Sequence, residues 1–179
     1  MPAFAAAVLV LLSIIRFMSG GTGAEPEGAF PLTAAQASDF SSLPLEQRAD
    51  HLFNRVMRLS SEGKGDSAAF FGPMALTALE ALTPLNLHHR YDIGLIALVT
   101  GQLARAKAQG DTILAQRPTH LLGLSLAARA ADARGDAAAA KGFRRRLLAA
   151  ESAERARPLP EYTDHEADVK TALELARKR

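Results

Sequence analysis

Glycine and proline recur in this chain at a single spacing, and that spacing limits the fold more than any other feature. Gly101 and Gly135 stand 34 residues apart, as do Pro84 and Pro118, and Ala106 and Ala140 keep the same interval. The alanine pair adds little in so Ala-rich a chain. Glycine and proline are the residues that end helices, so a shared period in them marks a repeated structural unit. A chain of 179 residues has room for a few such units around one core, and not for two large domains.

Between these breaks the segments have helical length. Leu45–Leu59 carries Leu52, Phe53, Val56, Met57 and Leu59 at spacings that line one helical face. Gly63-Lys64-Gly65 interrupts it. Ser67–Leu82 follows, with Pro73 inside it as a late start or a kink. Leu87–Thr100, Leu103–Gln116, His120–Arg134 and Ala137–Ser152 come next, separated by Gly101, Pro118 and Gly135. After Pro158-Leu159-Pro160, Asp164–Lys178 forms a last helix, apolar at Val169, Leu173 and Ala176. Apolar residues make up 48% of the chain and aromatics only 6%, a balance that favours close helix packing over sheets. The expectation is an all-α fold of antiparallel hairpins, because the connections are short.

A 34-residue unit of two helices resembles the tetratricopeptide repeat. The best unit is 87–120, with Ile93-Gly94 in its first helix, Gly101 at the turn, Ala106 in the second helix and Pro118 at the exit. Gly94 and Ala106 would lack bulk where the helices of a hairpin cross. Gly101 would take the left-handed conformation that ends a helix, and Pro118 would reset direction. Unit 121–154 keeps Gly135 and Ala140, has Ala128 for Gly94, and replaces the exit proline with Ser152. The stretch before, roughly 48–86, keeps Pro84 but has a longer turn and poor small-residue matches. The resemblance implies a short solenoid of about three repeats over residues 45–179, with the last helix capping its edge.

Residues 1–18, MPAFAAAVLVLLSIIRFM, read as a transmembrane anchor, with Phe4, Val8, Leu9, Leu11, Leu12, Ile14 and Ile15 as its anchoring residues. Eighteen helical residues span roughly 27 Å, near the lower limit for a bilayer. Ala3, Ala5, Ala6 and Ala7 offer small faces for packing against other membrane helices. A cleaved signal peptide is the competing reading, although no lysine or arginine precedes the apolar run. Residues 19–44 read as a flexible linker. Arg16, on the C-terminal side of the run, argues for a cytoplasmic domain. Similarity to small anchored repeat proteins of the bacterial inner membrane implies a periplasmic one, and this is the expectation adopted.

In the tetratricopeptide family the first helix of each repeat lines a peptide-binding groove. Carried over by register, that points to His88, Tyr91, Leu95 and Leu98 from one repeat and Leu122, Ser125, Arg129 and Asp132 from the next. The competing reading packs Leu95, Leu98 and Leu122 between helices. Tyr91 and Arg129 are residue types that anchor interfaces. The family's clamp for a terminal carboxylate needs lysine, asparagine and arginine; His88, Asp92 and Leu126 stand instead, which argues against a chaperone-tail receptor.

Chemistry is sparse. The chain has no cysteine, so disulfides, thiol catalysis and iron–sulfur ligation are excluded. His88 and His89 are adjacent and cannot chelate as an i, i+4 pair, while His51, His120 and His165 are isolated in sequence. No metal, cofactor or catalytic residue is expected, and Gly20-Gly21-Thr22-Gly23 lacks the strand and helix of a phosphate loop. Net charge is +2, with 21 basic and 19 acidic residues, which steers little. Arg144-Arg145-Arg146 fans around a helix as a solvated face, so no nucleic-acid partner is expected. Glu161, Asp164, Glu166 and Asp168 read as an acidic helix entrance that complements the helix dipole. The functional expectation is a non-catalytic scaffold or assembly subunit. It would bind other proteins of a membrane complex, of respiratory or photosynthetic kind, and the bilayer through its anchor. The alternative is an envelope chaperone that transiently holds peptide segments, similar to repeat domains of cytochrome c maturation.

Overall fold

A computed structural model describes residues 42–178. The anchor residues Phe4, Val8, Leu9, Leu11, Leu12, Ile14 and Ile15, and most of the linker, lie outside the described residues. Among the described residues no helix is long and apolar enough to cross a membrane. Those residues form eight helices and no strand: α1 (Leu45–Ser61), α2 (Gly65–Glu80), α3 (Leu87–Val99), α4 (Leu103–Gln116), α5 (Leu121–Ala133), α6 (Ala137–Arg155), α7 (Pro160–Asp164) and α8 (Glu166–Lys178). The all-α expectation holds. Pro73 neither delays nor ends α2, which begins eight residues before it. The short α7 is absent from the sequence reading, which took Pro160 as part of a break; Pro160 is its first residue, where a missing N–H costs nothing.

Three hairpins, α1–α2, α3–α4 and α5–α6, are closed by one turn geometry. Gly63, Gly101 and Gly135 have φ of 74°, 75° and 77°. In each, the glycine N–H donates to the carbonyl three residues back (Ser60, Leu98, Asp132). The next residue donates to the carbonyl five back (Leu59, Ala97, Ala131). This is the Schellman arrangement, and it satisfies carbonyls that a helix end leaves bare. The first hairpin therefore turns as the others do, and its excess length lies elsewhere. α2 has 16 residues against 14 in α4, and six residues (81–86) join α2 to α3 where four (117–120) join α4 to α5.

Each hairpin packs on the next through α2–α3 and α4–α5, and the first helices α1, α3 and α5 adjoin in order. α8 lies against α6 and α5, in the place a further first helix would take. One continuous core runs from Tyr91 and Leu95 of α3 through Leu121, Leu122 and Leu126 of α5 to Leu147 of α6 and Val169, Leu173 and Ala176 of α8. Ala97, Ala106 and Ala130 make a smaller cluster where α3, α4 and α5 meet. Ile93 and Ala140 are fully buried, and Pro118 sits in the α4–α5 connection.

Gly94 makes room for a neighbouring hairpin and not, as expected from the repeat, for the second helix of its own. A β-carbon there would stand 2.3 Å from Leu126 Cδ2, so the close approach is between α3 and α5 of neighbouring hairpins, not within one hairpin. Gly123 serves the same purpose against Ile113 Cγ2, at 2.6 Å. The basic run is corrected too. Arg144 is buried and pairs with Asp132, and Arg146 donates to the Pro118 carbonyl at 2.9 Å, while Arg145 is exposed.

Candidate functional site

Counting back from the turn glycines aligns Phe53, Tyr91 and Ser125 at one position of the three first helices, and Met57, Leu95 and Arg129 at the next position on that face. The expectation of eight residues along an open groove is corrected for four of them. Tyr91, Leu95, Leu122 and Ser125 are all buried. Covering is supplied in part by the chain itself, since His165, between α7 and α8, stacks edge-on against Tyr91 at 4.8 Å and faces Phe53 at 6.3 Å. His88, Leu98 and Arg129 are half-buried and Asp132 is exposed. The last three, with Val99 and Ala133, line a shallow cleft of about 450 Å³ at the C-terminal ends of α3 and α5. A second cleft of about 270 Å³ lies between α5, α6 and α8, with Ser125, Ala128, Arg129, Arg144 and Asp168 on its walls.

The N-terminal part of this face holds a charged cluster that the sequence reading missed. His88 and Asp92 are one turn apart on α3, and His165 arrives from the other end of the domain. Their ligand-capable atoms all lie within 4.8 Å of one another. His165 Nε2 is 3.1 Å from Asp92 Oδ1, and His88 Nε2 is 3.5 Å from Asp92 Oδ2. The two outer ring nitrogens face carboxylates: His165 Nδ1 meets Asp168 at 3.2 Å, and His88 Nδ1 lies 3.8 Å from Asp164. Burial alone would lower the His165 pKa, but the flanking Asp168 and Asp92 outweigh it and hold it at about 9. The bond from His165, with help from Arg129, keeps Asp168 below the ordinary carboxylate range. Despite their 3.1 Å separation, His165 Nε2 and Asp92 Oδ1 do not meet hydrogen-bond geometry, and both atoms are buried.

A second network fastens α7 to the start of α5. His120 is fully buried; its Nδ1 accepts from the Gly123 N–H at 3.3 Å and its Nε2 lies 3.3 Å from Glu161. The Nδ1 lone pair requires a ring with its proton on Nε2, and burial pushes the His120 pKa down against the pull of Glu161. Tyr162 accepts from the Leu121 N–H at 3.0 Å and donates to Glu154 at 2.7 Å, which also accepts from Thr119 at 2.6 Å. Burial would raise the Glu154 pKa, but these hydrogen bonds and the charges of Arg157 and Arg117 hold it below its ordinary value. The acidic helix entrance is thus more than a match to the helix dipole. Glu161 faces His120, Asp164 faces His88, Asp168 holds His165 and Glu166 pairs with Arg155.

The isolation of His165 in sequence hid its meeting with His88, which lies 77 residues earlier. The one available signal was the His88–Asp92 spacing of four, which puts both side chains on one helix face. No family model, curated protein or solved structure matches the chain.

Proposed function

We propose that this chain is a tetratricopeptide-like interaction module, held at a bacterial inner membrane by residues 1–18 and facing the periplasm. In this reading it is a non-catalytic scaffold or assembly subunit of a larger membrane complex. The observation that carries the reading is the cleft lined by Leu98, Val99, Arg129, Asp132 and Ala133. It joins two neighbouring first helices and sets an apolar floor beside charges of both signs, the mixture that recognises a polypeptide segment. Arg129, half-buried beside it, is the side chain best suited to anchor such a contact.

Covering of Tyr91 and Ser125 favours the subunit over the chaperone reading. A transient holder of extended clients needs a long open channel, and here the C-terminal segment lies across much of the face. The test is a mild-detergent pull-down of the full-length protein from its own membranes, with stoichiometry by mass spectrometry. A partner retained at fixed ratio, and lost with Arg129→Glu, is the expected result. Recovery of the protein alone, or with many clients at low ratio, would overturn the subunit reading.

A further inference from the structure

We infer that His88, Asp92 and His165 form a binding site for a divalent first-row transition metal of the zinc class, which fastens the C-terminal segment onto α3. The donor set is two imidazole nitrogens and one carboxylate oxygen, which suits zinc and its neighbours rather than calcium or magnesium. Ligands around a tetrahedral ion at 2.0–2.2 Å stand about 3.4 Å apart. The 3.1 Å separation of His165 Nε2 and Asp92 Oδ1 already fits that edge. With the whole set within 4.8 Å, closure needs a movement of up to about 1.4 Å by one side chain. His88, half-exposed at the rim, is the least buried of the three.

Two further observations point to a ligand and not merely to a charge cluster. His165 Nε2 and Asp92 Oδ1 are buried and lack a hydrogen bond, although each belongs to a side chain at least nine-tenths covered. Their opposite charges already pair at 3.1 Å, so a metal ion would displace the proton on His165 Nε2 and then coordinate both atoms directly. The second observation is orientation. Asp168 takes the Nδ1 side of His165, which turns Nε2 inward, and Asp164 lies on the Nδ1 side of His88. A carboxylate on the far nitrogen is how metal-binding imidazoles are commonly aimed and made more basic. Because α3 and the α7–α8 junction each supply donors, the ion would bind the folded chain and not the unfolded one, and so would stabilise the capped form.

The experiment uses the untagged full-length protein in mild detergent, stripped with a chelator and dialysed. Titration calorimetry with zinc is expected to show one ion per chain, with a rise in melting temperature on saturation. Cobalt in place of zinc is expected to give visible absorption at the same stoichiometry. His88→Ala, which removes one ligand and an edge contact with His165, is expected to weaken zinc binding by ~100-fold or more. Asp168→Asn should cost ~10- to 100-fold, while His51→Ala, exposed and outside the cluster, should bind as wild type. Either of two results overturns the site: wild-type protein that takes up no stoichiometric ion, or His88→Ala protein that binds zinc as tightly as wild type.

Discussion

Gly94 and His120 are single positions where packing or protonation leaves no slack. Gly94 faces the side chain of Leu126, which is fully buried. Gly94→Leu is expected to destabilise the domain by about 3 kcal/mol, near the upper part of the range for overpacked cores. An unchanged urea midpoint would show that α3 and α5 do not approach as described. His120 gives a pH prediction. Its folded pKa is depressed, so the unfolded chain takes up the proton more readily than the folded one. The stability it contributes is complete above the unfolded value of about 6.5 and is lost as pH falls toward its lower folded pKa. Facing it are Glu161, Glu154 and Arg117. His120→Gln protein should therefore show a smaller loss of stability than wild type between pH 7 and pH 5. Parallel stability–pH curves for the two proteins would refute this.

At the scale of the elements, glycine has two opposite roles in this chain. Gly135 stands in open space, but its φ of 77° is a conformation that costs an L-residue. Gly135→Ala is expected to destabilise by about 1 kcal/mol through backbone strain alone. Gly142 lies inside α6 with nothing within 4 Å of an added β-carbon. Gly142→Ala should stabilise by about 0.5–1 kcal/mol, since it removes unfolded-state entropy at no steric cost. Thermal melts of the pair should move in opposite directions, and a shift of the same sign in both would contradict the turn assignment. The turn glycines were readable in the sequence because a left-handed helix end is a local requirement with a local residue signature. α7 was not, because five residues headed by Pro160 carry no hydrophobic period and are held by Tyr162 and Glu161 reaching other helices.

At the scale of the whole molecule, the legible part of the design is what neighbours in sequence decide. Helices, hairpins and the apolar seam of α8 could be read from periodicity, since Val169, Leu173 and Ala176 repeat at helical spacing. The closing of the first-helix face could not, because no local pattern says that His165 will meet Tyr91 and Asp92 or that Arg144 will meet Asp132. The C-terminal end, tied to the stack by these long-range contacts, is expected to open ahead of the first hairpin. A stack in which each hairpin touches mainly its neighbours shares its stability unevenly, so damage at one end spreads inward by steps. Tyr162→Phe removes a hydroxyl that joins the Leu121 N–H to Glu154, a buried carboxylate left with the Thr119 hydroxyl and the charges of Arg157 and Arg117. The cost should be about 1–3 kcal/mol, that of buried polar groups losing a partner. Native-state hydrogen exchange is then expected to speed up in α7 and α8 while α1 and α2 keep their protection. Equal acceleration from α1 to α8 would mean that the domain opens only as one cooperative body, and that the cap is no separate unit.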